Sequence, residues 1–341
     1  MKKPKNMHSR IGKTDLFVPP VGFGAAHLGG IFDRVNSDQA RATLLAAWDG
    51  GVRFFDTAPY YGRGLSEHRV GDFLIDQPRR DFVLTTKVGR VFHRPQNPTA
   101  FDLTPWGGGL KFEFEFDYTY DGVMKSYEQS LMRLGLETVD ALLIHDPDQI
   151  AHGEHFSNRM QDLQSSGIKA LEELKRTGEI KAIGMGLNRT ESLETIAPLV
   201  DLDFLVVAMP YTLLDQSGLH AGLARCVEND ISVIIGAPFA SGILATGPRP
   251  GARYGYLPAS KDILAKTGKI QDVCRSHGVS LAAAALQFTL AHPAVISVIP
   301  GGAKPEEVTQ NISSSKARIP AELWEELKDS GLIEANAPVP I

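Results

Sequence analysis

Cysteine is scarce in this chain of 341 residues: there are two, Cys226 and Cys274. Both sit in helical patterns, and they make neither a disulfide framework nor a metal-binding spacing. The histidines show no ligand pattern either, so no metal site is expected. No stretch approaches the roughly 20 consecutive apolar residues that a membrane-spanning helix requires. The basic start, Lys2, Lys3 and Lys5, has no apolar run behind it, so a secretion signal is not expected. Net charge is −5 with both signs interspersed, which argues against a nucleic-acid surface. Linker-like Ser/Gly runs, charge blocks and low-complexity segments are missing, and α/β barrels of 250 to 400 residues are common as one domain. The expectation is therefore a single domain with a core from about 8 to 330. It is soluble and cytoplasmic, with no metal, nucleic-acid or membrane partner.

What is present is an alternation. Gly12-Lys13-Thr14-Asp15 reads as a hairpin turn, and Val21-Gly22-Phe23-Gly24 as a small-residue strand followed by a Gly-rich loop. Ser37 reads as the N-cap of a helix whose apolar stripe ends at Gly50-Gly51. Short apolar strands are expected at 52–56, 82–87, 139–144, 180–186, 204–208, 232–237 and 295–299. Helices are expected at about 66–75, 121–134, 166–177, 190–197, 217–229, 262–277 and 280–291, with two more beginning near Pro305 and Pro320. Two long loops, 88–120 and 238–260, interrupt the rhythm; the first, rich in Pro, Gly and aromatics, is read as substrate-side with a short hairpin at 111–120. Eight strand–helix units with strands buried on both faces imply a parallel (β/α)8 TIM barrel with an N-terminal hairpin. A doubly wound sheet competes, but no strand is followed by its G-x-G-x-x-G fingerprint.

Three expected strand ends carry ionisable side chains: Asp56, Lys87 and His145. In a barrel these project onto one face, where chemistry is kept. Tyr61 follows Asp56 by five residues within Asp56-Thr57-Ala58-Pro59-Tyr60-Tyr61-Gly62. Each residue taken singly has a bland reading: a capping Asp, a packed Tyr, a snorkelling Lys, a satisfied His. Taken together they are coherent. A tyrosine hydroxyl titrates near ~10. A nearby ammonium lowers that value, and a carboxylate keeps the ammonium charged. The histidine orients a carbonyl or hydroxyl oxygen. This is equipment for moving a proton on or off oxygen while a cofactor moves a hydride.

That set, with Leu142-Leu143-Ile144-His145, resembles the aldo-keto reductase superfamily, and the similarity runs from about residue 8 to about 330. Gly64-Leu65-Ser66-Glu67, Ile144-His145-Asp146-Pro147, Tyr211-Thr212-Leu213-Leu214-Asp215-Gln216 and the long insertion before His145 narrow the resemblance. They point to the group of D-threo-aldose 1-dehydrogenases, L-fucose dehydrogenases and pyridoxal 4-dehydrogenases. The resemblance implies Tyr61 as general acid/base, tuned by Lys87 and Asp56, with His145 orienting the reacting oxygen. It implies that Tyr211 stacks on a nicotinamide ring and that Pro238, Phe239, Gly242 and Leu244 wrap a pyrophosphate. Gly301, Gly302, Ala303 and Lys304, with Gln310 and Asn311, would hold the adenosine end, where a Gly turn opens a helix.

Two departures stand out. Gly186-Leu187-Asn188 replaces the Ser-Asn that often holds the carboxamide, leaving Asn188 for that contact, and Ala208 stands where Gln is frequent. At Glu306-Glu307, phosphate-preferring relatives commonly place an arginine at about 307. A carboxylate at Glu307 repels a 2′-phosphate and accepts from a free ribose hydroxyl, which favours NAD, with NADP left open by Lys304. The expected partner is a small sugar or pyridoxal-like molecule held as a cyclic hemiacetal, with Tyr60 and Trp106 as candidate substrate contacts; oligomeric state is left unassigned. Two competing readings are a Schiff-base aldolase acting through Lys87 and a non-catalytic nucleotide-sensing subunit.

Overall fold

A computed structural model describes residues 8–188, 199–220 and 222–340. Eight parallel strands form one sheet: β1 (Phe23–Gly24), β2 (Phe54–Asp56), β3 (Val83–Val88), β4 (Ala141–His145), β5 (Ala182–Leu187), β6 (Phe204–Val207), β7 (Ser232–Ile235) and β8 (Val295–Val298). Each pairs with its sequence neighbour in this set. The ring is drawn shut by parallel bridges between Val21 and Val298 and between Gly24 and Gly301. The backbone N–H of Gly22 donates to the Val298 carbonyl at 2.8 Å, and that of Val298 to the Pro20 carbonyl at 2.9 Å. The expected barrel is the observed one.

The period of two along each strand divides the core. Phe54, Ala141, Leu143, Ala182, Phe204 and Ile234 point inward and pack with Ile11, Leu16 and Val18. Phe55, Leu84, Leu142, Ile144, Ile183 and Val233 point outward into the larger core beneath the helices. Ser9–Arg10 pairs antiparallel with Phe17–Val18, so the N-terminal hairpin forms as expected and plugs the bottom of the barrel. The Gly12 N–H donates to Ser232 Oγ at 2.8 Å, and Gly12 has φ +49° with the Asp203 backbone so close that a side chain would not fit.

Several boundaries differ from expectation. The first helix, Ser37–Asp49, is capped by Asn36, whose side chain accepts from the Gln39 N–H at 2.8 Å; Ser37 lies inside the helix. The expected hairpin at 111–120 does not close on itself. Instead Glu113–Phe116 pairs antiparallel with Arg90–His93, directly after β3, folding the long loop back over the barrel rim. The helix expected at 166–177 continues a longer helical run: Phe156–Asp162, a π turn Leu163–Gly167, then Ile168–Thr177. The loop 238–260 carries a short helix Ile243–Thr246 and a two-residue ladder, Arg253–Tyr254 with Leu257–Pro258. The helix expected at 190–197 lies outside the described residues. Among the described residues, no helix is long and apolar enough to cross a membrane and no cluster of His, Cys, Asp or Glu fit to hold a metal occurs.

Candidate active site

The inward parity of the strands carries straight into the site. Asp56 lies two residues beyond Phe54, Lys87 two beyond Thr85, and His145 two beyond Leu143, so all three point into the barrel at its C-terminal end. The same layer on the opposite strands is small: Gly186, Val206, Ala208 and Gly236. One half of the ring supplies chemistry and the other half supplies space. The result is a cavity of about 730 Å³ whose walls include Tyr60, Tyr61, Trp106, Asp146 and Asn188. At Gly186 an added Cβ would come within 3.3 Å of Lys87 Cε, a tighter approach than most side chains make.

Lys87 and Asp56 form a buried ion pair at 2.8 Å, each side chain 2% exposed. The Lys87 ammonium also donates to the Thr57 carbonyl at 2.8 Å, and Thr85 Oγ1 donates to the second Asp56 oxygen at 2.8 Å. Both carboxylate oxygens are therefore held, as an ion in this surrounding requires. Burial works to lower the Lys87 pKa, but Asp56 and Tyr61 outweigh it, and the net direction is upward. The ammonium stays charged, which removes the neutral amine that a Schiff-base mechanism needs. It lies 4.7 Å from the centroid of the Tyr61 ring. Burial raises the Tyr61 pKa above its ordinary value, with Lys87 opposing, so the lowering expected from the ammonium alone is outweighed by desolvation.

His145 stands edge-on to Tyr61, with ring centroids 6.1 Å apart at 89°. Its pKa is pushed well below the ordinary histidine value by burial, with Arg90 and Lys87 adding to the effect. It is a neutral imidazole, able to donate from one nitrogen and accept at the other. The Tyr118 hydroxyl donates to the His145 backbone carbonyl at 2.5 Å. Tyr60 meets Trp106 edge-on at 5.2 Å, building an aromatic wall beside the acid–base cluster.

Pro238, Phe239, Gly242, Gly301, Glu307, Gln310 and Asn311, all candidate cofactor contacts by sequence, line the same cavity. Glu307 accepts from the Ala303 N–H at 2.8 Å across the Gly turn, and Asn311 donates to the Gly301 carbonyl at 3.2 Å. Gly301 is a close approach: a Cβ there would run into the His27 ring. Amide, hydroxyl and guanidinium donors (Asn188, Gln310, Ser241, Arg249 and Arg253) sit around a long slot with a carboxylate at one end. This donor set fits a dinucleotide.

Other expected contacts sit elsewhere. Tyr211, expected against a nicotinamide ring, is buried in the outer core, stacked on Phe288 at 5.2 Å and edge-on to His292, away from the cavity wall. Leu244 is fully buried beneath the wall, while Gly302 and Lys304 flank lining residues without lining the cavity. The C-terminal tail packs Leu332, Ile333 and Ala337 into the outer core.

Unforeseen residues line the cavity too. Phe32 and Tyr256 come from the two loops that face each other across the opening, their rings 6.5 Å apart, with the Arg253 guanidinium 4.6 Å over Phe32. Asp146 lines the wall and is held by Arg90 at 2.8 Å. The signal for Arg90 was in reach, since it follows the Lys87 strand by one glycine-bearing turn.

A parallel barrel whose open end joins a buried Lys–Asp pair to a tyrosine, a neutral histidine and a dinucleotide-sized slot is the framework of a nicotinamide-dependent oxidoreductase. The profile of the aldo/keto reductase family matches residues 20–331. The chain belongs to this family and is an NAD(P)-dependent oxidoreductase acting on alcohol and aldehyde groups. It is 38% identical over 336 residues to a pyridoxal 4-dehydrogenase of Microbacterium luteolum, covering 95% of this chain and 97% of the relative. It is equally 38% identical, over 327 residues, to a D-threo-aldose 1-dehydrogenase of a Pseudomonas species, covering 93% and 95%. An aldo-keto reductase structure from Bacillus halodurans shares the fold, with a TM-score of 0.76 at 24% identity and coverage of 97% and 98%.

Proposed function

We propose that this protein oxidises the cyclic hemiacetal of an aldose, of the L-fucose or D-threo-aldose type, to its lactone with NAD. The observation that carries the reading is the cluster at the cavity floor: a charged Lys87 locked to Asp56 beside Tyr61, with a neutral His145 across from it. The anomeric hydroxyl sits between Tyr61 and His145. Tyr61, in its ionised form, takes its proton as the carbon–oxygen double bond forms, and the Lys87 ammonium stabilises that phenolate before the transfer. His145, uncharged, holds the reacting oxygen by a hydrogen bond without competing for the proton. Nicotinamide dinucleotide, when bound, would supply the acceptor for the hydride leaving the same carbon. Asn188, Pro238, Phe239, Gly242, Gly301, Gln310 and Asn311 would hold it. Glu307 supports NAD over NADP, because a 2′-phosphate beside a carboxylate meets like charge.

Oxidation of pyridoxal to 4-pyridoxolactone is the second reading. It uses the same residues on another hemiacetal, and the aromatic wall of Tyr60 and Trp106 suits a pyridine ring as well as a sugar face. The equal identity to relatives named for each substrate leaves both in play.

Initial rates of NADH and NADPH formation with L-fucose, D-arabinose, L-galactose and pyridoxal, repeated on Tyr61→Phe, test these readings. NADH formation on a sugar, lost in the variant, supports the first. Turnover of pyridoxal alone moves the protein to the second. Nucleotide binding without turnover of any of the four overturns both and favours a nucleotide-sensing role.

A further inference from the structure

Asp146 directly follows His145 and adopts φ 51°, a left-handed conformation that a non-glycine residue takes up only when its surroundings hold it there. Its backbone N–H donates to the Gly186 carbonyl at 3.0 Å, and its own carbonyl accepts from the Asp148 N–H at 2.8 Å. The turn sets the carboxylate against two hydrogen-bond donors and beside a third group, the His145 imidazole. Arg90 donates to Oδ2 at 2.8 Å, Asn188 Nδ2 donates to Oδ1 at 3.1 Å, and His145 Nε2 lies 3.4 Å from Oδ2.

The two sides of the ion pair are unequal. The Arg90 side chain is 5% exposed and the Asp146 side chain 16%. The guanidinium lies between the rings of Tyr60, at 4.7 Å, and Phe116, at 4.6 Å, and its Nε and second terminal nitrogen are buried without a partner. Arg90 is walled in, and the hydrogen bond it makes with its side chain goes to Asp146. The less covered partner, the carboxylate, faces the cavity, beside the imidazole of His145.

A carboxylate has about four acceptor positions, and Arg90 and Asn188 occupy two. What remains faces the substrate and accepts only from a donor. Neighbouring hydroxyl oxygens on a sugar ring lie about a hydrogen-bond length apart, a little less than the 3.4 Å between His145 Nε2 and Asp146 Oδ2, so two adjacent hydroxyls can face the two groups side by side. A substrate whose reacting oxygen meets His145 therefore carries its next hydroxyl to Asp146.

We propose that Asp146 accepts a hydrogen bond from the hydroxyl on the carbon adjacent to the one oxidised, restricting the enzyme to α-hydroxy hemiacetals, and that Arg90 is the positioning residue that holds it. The inference rests on the hemiacetal reading above and deepens it. It separates aldoses from hemiacetals with no such hydroxyl, because a half-buried acceptor in a filled cavity is left without a donor when the hydroxyl is missing.

The experiment compares kcat/KM with NAD for L-fucose, 2-deoxy-L-fucose and 2-hydroxytetrahydropyran, a cyclic hemiacetal with no other hydroxyl. The wild type favours L-fucose over both by about a hundredfold or more, as a site built around one hydroxyl does. Asp146→Asn and Arg90→Met narrow that ratio by about tenfold or more, read as a ratio so that loss of active protein cancels. Arg90→Lys restores part of it. Equal losses on all three substrates in both variants overturn the proposal and make the pair a support for His145 alone. A wild type that oxidises the bare hemiacetal as readily as L-fucose overturns it without recourse to any variant and leaves the hemiacetal reading standing. Turnover of none of the three overturns both.

Discussion

Lys87 Nζ sits 2.8 Å from Asp56 Oδ2 with both side chains 2% exposed, so neither charge has water to fall back on. Removing one leaves the other uncompensated, at a cost of about 3–5 kcal/mol. Lys87→Met is expected to lower the thermal midpoint measurably and to reduce kcat by about 10²–10⁴-fold, the range of a lost acid–base group. The paired change Lys87→Met with Asp56→Leu recovers much of the stability and none of the activity. Calorimetry and initial rates on the wild type and the two variants check this; recovered turnover in the double variant would contradict the role given to Lys87.

Proton bookkeeping at Tyr61 sets a direction in pH. Burial holds its hydroxyl above the usual tyrosine range, so it is protonated at neutral pH. A protonated phenol donates, which suits carbonyl reduction near neutrality, whereas the proposed oxidation needs it to accept. Oxidation rates should therefore climb as pH rises toward 10, whereas reduction rates, which use the form that stays protonated below the raised pKa, should hold level over the same window. Matching pH profiles in the two directions would argue against Tyr61 as the shared acid/base.

Acid weakens the fold by a separate route. His152 and His292 are each pushed down to about 4, burial being the leading cause for both, and His145 is lowered as well. Their folded pKa values lie below the unfolded ~6.5, so the unfolded chain binds more protons between these limits. The stability they contribute is complete above pH 6.5 and is lost as pH falls toward 4. Urea midpoints measured from pH 7.5 to 4.5 should decline, and His292→Leu should flatten the decline.

Glu307 lines the cavity and spans the Gly turn, accepting from the Ala303 N–H at 2.8 Å. Glu307→Arg is expected to shift the ratio of NADP to NAD affinity toward NADP by about tenfold or more, about 1.4 kcal/mol. Glu307→Gln, which keeps the acceptor and drops the charge, should shift it less. Nucleotide titration followed by protein fluorescence measures both, and an unchanged ratio in Glu307→Arg would remove Glu307 from cofactor selection.

Gly71, on the helix Leu65–Leu74, approaches the helix Tyr120–Leu134 so closely that an added Cβ would lie 1.9 Å from the Leu134 carbonyl oxygen. Gly71→Ala should destabilise by about 1–3 kcal/mol through overpacking, despite alanine's better helix propensity. A denaturant midpoint equal to or above the wild type would show that the two helices part without cost.

The acid–base set was legible because it obeys short-range rules. Asp56, Lys87 and His145 each end an apolar run of alternating parity, and period two alone carries them to one face. Tyr211 was misplaced because an aromatic just after a strand end reads the same whether it faces the cavity or the helical layer, and Phe288 settles the matter from far along the chain. The pairing of Arg90–His93 with Glu113–Phe116 was hidden for a similar reason: its register depends on a long loop closing, and several Pro and Gly turn signals within that loop leave no single one to mark its centre. Arg90 and Asp146, 56 residues apart in sequence, leave no local trace of their contact. Asn36 against Ser37 is a choice between two good caps, decided by one hydrogen bond.

The hairpin that plugs the barrel floor ties residues from the chain's start to its later strands: the Gly12–Ser232 contact spans 220 positions. A nascent chain emerging from the ribosome must expose Ile11, Leu16 and Val18 until the strands that receive them exist. Those three residues are thus an early liability for chaperones to shelter and a late seal once synthesis is done. Because the seal lies at the opposite end from the chemistry, loops around the cavity are free to be rewritten for new substrates without reopening it.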